Sequence, residues 1–406
     1  MKKIFCIGAF VLFLFTLINS CKKDVPADST KTVTSNDFPN DGAIVLSDDI
    51  THDTILINHK QGVDYRIAIC MKVTNGARLI IQPGVTIEMT PGSGIEISDA
   101  ASIDWQGNAN EKINILGLEK TRGSWRGIYL YSKGVTQIMK HCIIQHAGSD
   151  IYKIEKRSCI NVLGASVSME NCTIKDNFAN GLYLDSAAVN IGIHNNTFTG
   201  NYAEPVMIDH VNCDILTNDN LYTGNTFDRI YIRTIRNLQT YRTLNIPKLD
   251  VPYTVDSTFN IGTTVIIQPG TKFIMQKLSL FYANDSLQNG ASFTAIGTTN
   301  NRIEFVGQLG KKGYWQGIGL DIGATCHFEN CDIKYCGFAN NYSSSNPEAM
   351  IIIGGNTNTN CEIRNCIFSY SAANGIAIDS PSVNFNADIY TVNSFDSIDF
   401  ANVLIY

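Results

Sequence analysis

Short apolar runs alternate with polar turn residues along the chain from about residue 43 onward. The runs hold Ile, Val, Tyr and Phe, and Asn-Gly, Pro-Gly and Gly-Asn pairs separate them. β-Branched and aromatic residues favour strands, whereas these pairs favour tight turns. The same stretch lacks the 3.6-residue period of an amphipathic helix. The pattern therefore predicts an all-β chain of many short strands.

Four blocks of this pattern occur twice, in the same order. The blocks are IIQPG at 80–84 and 266–270, GSWRGI at 123–128 with GYWQGI at 313–318, Asn-Cys at 171–172 and 365–366, and NTFD at 225–228 with NSFD at 393–396. Because the order is preserved, we interpret the blocks as an internal duplication. The sequence predicts two related halves, residues 43–246 and residues 247–406.

A shorter period runs inside each half. In the first half, strand patterns that carry Asn beside a turn begin near Met169, Ile193 and Tyr222. A unit of this size cannot bury its apolar side alone, so parallel coiling lets each turn of the coil, or rung, cover the next. Like side chains then stack in ladders about 4.8 Å apart. The sequence therefore predicts a parallel β-helix with Asn ladders at its turns.

The separation between equivalent blocks changes along the chain. It is 194 residues for Asn171 and Asn365 (365 − 171) but 168 residues for Asn225 and Asn393 (393 − 225). The difference is about one rung, so we expect the first half to carry a rung that the second half lacks. We expect the junction of the halves near residues 246–251, where two prolines interrupt the strand pattern.

Residues 1–20 have the features of an export signal, because two lysines precede an apolar run from Ile4 to Ile18. The run is shorter than the roughly 20 residues of a spanning helix. With Ser20 before Cys21, the segment resembles a lipoprotein signal peptide. The resemblance implies that Cys21 becomes the acylated first residue of the mature chain, anchored by palmitate-type chains. An ordinary secretory signal that leaves Cys21 a free thiol is the alternative.

Residues 21–42 are rich in Ser, Thr, Asp, Lys and Pro, and they hold few large apolar side chains. The few apolar contacts that such a segment can form do not offset the entropy lost when it becomes ordered, so it is predicted to be a flexible tether. Its start partly resembles the charged stretch of Bacteroidetes surface lipoproteins. The resemblance implies attachment to the outer membrane through the lipid and display on the cell surface.

The repeat pattern as a whole resembles the right-handed parallel β-helix repeat lipoproteins of Bacteroidetes, which have the pectin-lyase-like superfold. The resemblance covers about residues 43–406 and rests on the Asn-Cys-Thr-Ile rung, the Gln-Pro-Gly turn and the Trp-Arg-Gly-Ile strand. It implies a right-handed parallel β-helix. Fold does not imply function, so the activity needs separate arguments.

The net charge and the positions of the cysteines limit the kinds of partner and ligand that the chain is expected to bind. The formal net charge of −6 and the lack of a basic cluster argue against nucleic acid as a partner. The cysteines at 172, 331 and 366 lie inside strand patterns, so we expect them to point inward as small apolar residues, with disulfides as the alternative. The cysteine spacings lack the paired C-x₂-C of a zinc site. We expect no metal and no cofactor.

The predicted extra rung holds the best candidates for ligand binding. Asp209 and His210 have no counterpart in the second half, and they could serve as a general base or bind a sugar. Arg229, Tyr231 and Arg233 follow at alternating positions, so on a strand they share one face. They could hold an acidic glycan by charge and stacking. A polar turn and a solvated strand face are the respective structural alternatives.

Trp105 has no equivalent in the second half, unlike Trp125 and Trp315, which occupy matching positions. An unmatched aromatic residue can serve as a stacking platform for a sugar ring. Trp105 is therefore a further candidate for glycan binding, and the matched pair is interpreted as structural.

Three functions fit these observations. The leading hypothesis is a noncatalytic surface lipoprotein whose coil presents a glycan-binding or adhesive face. A polysaccharide lyase or glycoside hydrolase is the first alternative and would need converging carboxylates; the only Asp-Asp pair, at 48–49, precedes the first coil. A structural or assembly component is the second alternative and predicts an apolar lateral patch. Whether the chain is an enzyme stays open at this point.

Overall fold

The computed structural model describes residues 39–60, 62–149, 158–337, 348–354, 359–379 and 383–406. The export signal, Cys21 and most of the tether lie outside the described residues. Residues Asn40–Tyr406 form one compact unit. Asp41, near the end of the predicted tether, already belongs to this unit, because its carboxylate accepts a hydrogen bond of 2.8 Å from the buried guanidinium of Arg66.

The described chain is built of strands. Through the junction they are β1 Ile44–Leu46, β2 Thr54–Leu56, β3 Tyr65–Ile67, β4 Cys70–Val73, β5 Arg78–Ile81, β6 Thr86–Met89, β7 Gly94–Ile97, β8 Ser102–Gln106, β9 Ile113–Gly117, β10 Ile128–Leu130, β11 Thr136–Lys140, β12 Cys142–Gln145, β13 Ser158–Val162, β14 Ser166–Glu170, β15 Thr173–Lys175, β16 Asn180–Leu184, β17 Ile191–His194, β18 Thr197–Thr199, β19 Val206–Asp209 and β20 Ile230–Arg233. The strands that follow are β21 Leu244–Ile246, β22 Tyr253–Val255, β23 Thr258–Ile261, β24 Thr264–Ile267, β25 Lys272–Met275, β26 Leu280–Asn284, β27 Ser292–Ile296, β28 Ile303–Gly307, β29 Gly317–Asp321, β30 Thr325–Glu329, β31 Cys331–Lys334, β32 Ala349–Ile353, β33 Thr359–Arg364, β34 Ile367–Ser371, β35 Asn374–Ile378, β36 Val383–Phe385, β37 Ser394–Ile398 and β38 Val403–Ile405.

These strands form five parallel sheets. Sheets A, B and C make the three faces of the first half, and sheets D, B and E make those of the second. Sheet A holds β1, β3, β6, β9, β12, β15 and β18, sheet C holds β2, β5, β8, β11, β14 and β17, sheet D holds β21, β24, β27, β30, β33 and β36, and sheet E holds β23, β26, β29, β32, β35 and β38. Sheet B holds the thirteen other strands and runs through both halves. The all-β parallel coil predicted from the sequence is confirmed.

The interior of the coil is one apolar core. Period-2 alternation points every second strand residue inward, and successive rungs stack their Ile, Val and Phe side chains. All ten described cysteines are free thiols, and nine of them are buried. Cys172, Cys331 and Cys366 are among the buried ones, as the strand pattern predicts.

Asparagine ladders hold two of the turns, the first between sheets A and B and the second between sheets C and A. The side-chain amide of Asn177 donates to Oδ1 of Asn201 at 2.8 Å, and the amide of Asn201 donates to Oδ1 of Asn225 at 2.8 Å. A second ladder joins Asn196 to Asn220 at 3.0 Å. Each amide lies one rung from its partner, so the predicted stacking of like side chains is observed.

The two tryptophans at matching positions are structural. Trp125 and Trp315 are fully buried, and each indole nitrogen donates to a backbone oxygen at 2.8 Å, that of Gln145 and that of Lys334. The strand after Trp125 is β10 in sheet B, whereas the strand after Trp315 is β29 in sheet E. Duplicated strands therefore lie on different faces of the coil. The sequence-based division at residue 247 stays a prediction.

Candidate functional site

Two of the three faces of the coil are formed by different sheets on the two sides of the junction, because sheets A and C end there and sheets D and E begin. Sheet A ends at β18, followed by a single bridge between Thr197 and Leu221. Sheet E begins at β23, and the chain one rung below it, about residues 235–240, forms no strand. Thr240 N–H donates to the oxygen of Asn260 at 3.1 Å, which shows that this irregular segment lies next to β23. Only sheet B is hydrogen-bonded without a break across the junction.

Asp209, at the end of β19, forms a closed polar cluster with Arg233 of β20. Arg233 donates to both carboxylate oxygens, from Nε at 2.6 Å and from Nη2 at 2.7 Å. The hydroxyl of Tyr183 donates to Oδ1 at 3.1 Å, and Ser186 N–H donates to Oδ2 at 2.7 Å. Asp209 is fully buried. Burial opposes the charge of Arg233, but the hydrogen bonds to Asp209 raise its pKa. All the oxygen atoms of the carboxylate are occupied, which leaves Asp209 unsuited to act as a general base.

His210 is also fully buried, in a 3₁₀ turn over residues His210–Asn212. Its Nε2 lies 2.9 Å from the oxygen of Leu238, and Ile235 N–H lies 3.4 Å from its Nδ1. The pairing assigns the proton to Nε2 and leaves Nδ1 as an acceptor. His210 thus holds the irregular segment 235–238 in place, a structural role rather than the sugar contact proposed from the sequence.

The burial of His210 predicts a pH dependence of stability. Burial lowers the pKa of its imidazole below the ordinary value. Below about pH 6.5 the unfolded chain therefore takes up a proton that the folded chain resists, and the free energy of unfolding falls by up to about 1.4 kcal/mol per pH unit. Urea titrations at pH 7.5 and 5.5 should show a larger loss for the natural chain than for His210→Gln. Equal losses would contradict the assignment of this pH dependence to His210. His52→Gln, at an exposed histidine, is the control.

Arg229 and Tyr231 also have partners on neighbouring rungs. Arg229 donates to Oε1 of Glu204 from Nε at 3.0 Å and from Nη2 at 2.8 Å. The hydroxyl of Tyr231 lies 3.5 Å from Oδ2 of Asp256, and burial, together with this carboxylate, raises the pKa of Tyr231 to about 12. Tyr231 and Arg233 do share the outer face of β20, as the alternation predicts. The arginines are nevertheless neutralised by the protein itself.

Trp105 is a core residue, and the proposal that it stacks on a sugar is wrong. Its side chain on β8 is fully buried, as is that of Ile103 two residues earlier. The alternating positions Asp104 and Gln106 bear the polar side chains of the strand. A ring inside the coil has no face to offer a ligand.

A cleft of about 570 Å³ opens beside the polar cluster of Asp209 and Arg233, at the edge where sheet E begins. We call it the junction cleft. Three successive rungs line it, with Thr234, Arg236, Asn237, Ser257, Thr258, Asn260 and Tyr282. Arg236 is the only charged side chain among these residues, and it is exposed. The cleft occupies the position where a further strand of sheet E would pair with β23.

The open edge of β23 supplies backbone groups to the cleft. In a parallel strand, alternate residues point both N–H and C=O to the same side. The oxygen of Asn260 points to the lower side, where it accepts from Thr240, so Thr258 points to that side as well. No hydrogen bond to the N–H of Thr258 or of Asn260 is found in the described part of the chain. Two backbone donors therefore border the cleft.

Tyr282 forms one wall of the cleft and rests on a glycine. Tyr282 of β26 is the register partner of Gly319 on β29. A Cβ on Gly319 would lie 3.2 Å from Cδ2 of the tyrosine ring, so the ring leans over the glycine Cα. The tyrosine hydroxyl donates to Oδ2 of Asp321 at 3.1 Å, and Asn284 donates to the same hydroxyl oxygen at 2.9 Å. These contacts fix the ring as a rigid polar and aromatic surface.

None of the candidate residues predicted from the sequence lines the cleft, although Arg233 directly precedes the lining residue Thr234. Arg236 follows Arg229 and Arg233 in the same stretch of the chain, and only the structure distinguishes it from these two arginines, which are ion-paired. The spacing carried a usable signal, because Asp209 and Arg233 are one rung apart with opposite charges. Nothing in the sequence indicates the positions of Tyr282 and Asn260, since their contacts depend on sheet E beginning at β23.

Exposed aromatic rings follow one corner of the first half. Phe178 and Tyr202 stack with ring centroids 5.1 Å apart and are 43% and 53% exposed. Phe227, one rung further, is 47% exposed and lies under the guanidinium of Arg229. These three rings, which we call the aromatic corner, are the lateral apolar feature expected of an assembly component.

In the described ranges, no group of three or more His, Cys, Asp or Glu side chains is arranged to hold a metal ion. The part of the chain that the structure describes contains no helix with the length and apolar character needed to cross a bilayer.

Comparison with known proteins agrees with this architecture. Residues 54–234 match a family model described as a right-handed beta helix region. Searches of curated proteins and of solved structures found no match to the chain. The matched range starts at β2 and ends just after β20, and the strands beyond it continue the same parallel coil. The chain is a right-handed parallel β-helix repeat protein.

Proposed function

We propose that the chain is a noncatalytic surface lipoprotein that binds a glycan in the junction cleft. The observation that carries the proposal is the composition of the cleft, which combines a fixed tyrosine ring with hydroxyl, amide and guanidinium groups. Aromatic rings pack on the apolar faces of sugars, and such polar groups bind their hydroxyls. The cleft is partly open and lies on the outer face of a rigid coil, where a polymer can enter it.

The polar lining favours binding over catalysis. Hydrolysis of a glycosidic bond uses two carboxylates that flank it. The residues that line the cleft include no carboxylate. Asp256 and Asp321, next to it, already accept hydrogen bonds from Thr234 and Tyr282. Asp209 is buried beneath Arg233. The alternative of a lyase or hydrolase therefore lacks converging acidic groups at the junction cleft.

Replacement of the tyrosine tests the proposed function. The mature chain should bind members of a panel of neutral and acidic polysaccharides without releasing reducing ends or unsaturated products. Tyr282→Ala should weaken that binding about five- to tenfold, since a stacked aromatic contact contributes on the order of 1 kcal/mol. Tyr390→Ala, at an exposed tyrosine outside both the cleft and the aromatic corner, is the matched control. Unchanged binding by Tyr282→Ala, or product release, would refute the proposal.

We further propose that Cys21 carries the lipid and that the coil is displayed at the surface of the outer membrane. The support is the sequence of residues 1–21, with its apolar run and small residue before the cysteine. Cells given an alkyne analogue of palmitate should label the natural chain but not Cys21→Ser. Protease added to intact cells should then digest the natural chain. A chain that stays unlabelled, or that intact cells protect, would contradict the respective part.

A second candidate function rests on the aromatic corner. Three exposed rings in a row form an apolar strip, and such strips favour association with another protein. The natural chain would then form oligomers at micromolar concentration, and the double substitution Phe178→Ser and Tyr202→Ser would shift it to monomer in light-scattering measurements. A monomeric natural chain at all concentrations would remove this candidate.

A further inference from the structure

We propose that the junction cleft contains an anion subsite formed by Arg236 and the N–H groups of Thr258 and Asn260, and that its glycan carries carboxylate or sulfate groups. The inference rests on the proposed glycan-binding function. It goes further, because it assigns the charge of the ligand and the groups that recognise that charge.

The first observation is that Arg236 has no partner. The other described arginines bind acidic side chains or have other recorded interactions. Arg229 and Arg233, from the same stretch, each donate two hydrogen bonds to a carboxylate on the preceding rung. No hydrogen bond or ion pair is found for Arg236 in the described structure. Its guanidinium offers five donors that fit a planar or tetrahedral anion.

The second observation is that the neighbouring unpaired groups include further donors. The N–H groups of Thr258 and Asn260 point to the open edge of β23, two residues apart on the same side. Backbone N–H groups that point to one concave space bind anions, because no side chain has to be ordered for them to do so. They lie at the wall of the cleft that Arg236 also lines. Spare donors from two rungs therefore border the same cleft.

The third observation concerns the negative charges nearby. Oδ1 of Asp256 accepts from the N–H of Thr234 at 3.0 Å and from its hydroxyl at 2.9 Å. Asp321 accepts from Tyr282. Neither carboxylate contacts Arg236, so the protein does not neutralise this cation internally. An anionic ligand gains a charge-assisted contact that a neutral sugar lacks.

Polymers that differ only in charge test the subsite. Binding of dextran, carboxymethyl dextran and dextran sulfate of equal chain length should be measured by calorimetry at two salt concentrations. We expect at least one charged polymer to bind about tenfold more tightly than dextran, with affinity falling as salt rises. The carboxymethyl and sulfate forms distinguish the two sources of the anion. Equal affinity for all three would overturn the subsite.

Variants of the cleft separate the subsite from the glycan site as a whole. Arg236→Gln should remove most of the tenfold preference, and Arg236→Lys should restore only part of it, because lysine is a point charge without the planar fork. Arg122→Gln removes the same charge several rungs away and should change nothing. If Arg236→Gln leaves the preference intact, the subsite is refuted while Tyr282-dependent glycan binding stands. If no polysaccharide of either panel binds, both proposals fail.

Discussion

Gly317→Ala should destabilise the second half severely, by about 3 kcal/mol or more. Gly317 has φ +128, which alanine rarely adopts, and a Cβ there would lie 2.4 Å from the oxygen of Met350 on the next rung. Neither backbone can move without breaking the ladder between β29 and β32. Urea unfolding followed by tryptophan fluorescence should show the loss, because Trp315 is two residues away and fully buried.

The duplication supplies a second variant for this prediction. Gly127, at the matching position of the first half, has φ +129, and its Cβ would lie 2.7 Å from the oxygen of Cys159. Gly127→Ala should therefore destabilise the first half by a similar amount. Gly62→Ala is the control, since a Cβ there meets nothing within 4 Å and no positive φ is involved. If Gly317→Ala unfolds at the same urea concentration as Gly62→Ala, the duplicated turn does not have the described geometry.

Asp209→Ala should cost about 3 kcal/mol, because it leaves the guanidinium of Arg233 and the hydroxyl of Tyr183 without their acceptor in a largely buried cluster. The double variant Asp209→Leu with Arg233→Met should recover more than half of that loss, since it removes both charges together. Chemical denaturation of the three proteins measures the difference. Glu170→Ala is the comparison: its pair with Lys140 is exposed, so its loss should stay below about 1 kcal/mol.

The result for the double variant decides what the cluster does. A double variant as unstable as Asp209→Ala would mean that the cluster contributes hydrogen bonds that apolar side chains cannot replace. Recovery of stability with loss of glycan binding would show that the cluster positions the segment after Arg233, which forms the wall of the junction cleft. Recovery of both properties would contradict a positioning role.

The fold could be predicted from the sequence because a β-helix repeats a local pattern. Each rung needs the same inward apolar residues and the same turn, so Asn177, Asn201 and Asn225 recur at nearly constant spacing. The alternation in β8 would also have shown that Trp105 is buried, because Ile103 lies on the same side of the strand. The period-2 alternation of a strand, applied to Trp105, places its side chain in the core.

The candidate functional region was harder to predict because it breaks the repeat pattern. Opposite charges one rung apart, such as Glu204 and Arg229, indicate a structural ion pair once the rung length is known. The edge of β23 gives no such indication. Thr258 and Asn260 look like ordinary strand residues, and their free N–H groups arise only because no strand forms one rung below. That absence depends on how the two halves meet, which the repeats do not encode locally.

The change of faces also has a mechanical consequence. Elsewhere in the coil, three parallel ladders resist tension along the axis, but at the junction only sheet B is continuous. Three ion pairs cross this seam, Arg229 with Glu204, Arg233 with Asp209 and Arg242 with Asp214, each joining consecutive rungs. Arg229 with Glu204 and Arg233 with Asp209 reinforce the ladder between β19 and β20, whereas Arg242 with Asp214 joins two segments that form no strand. Tension applied through a bound polymer would therefore act on the coil at the junction, where the fewest backbone ladders connect consecutive rungs, next to the proposed binding site.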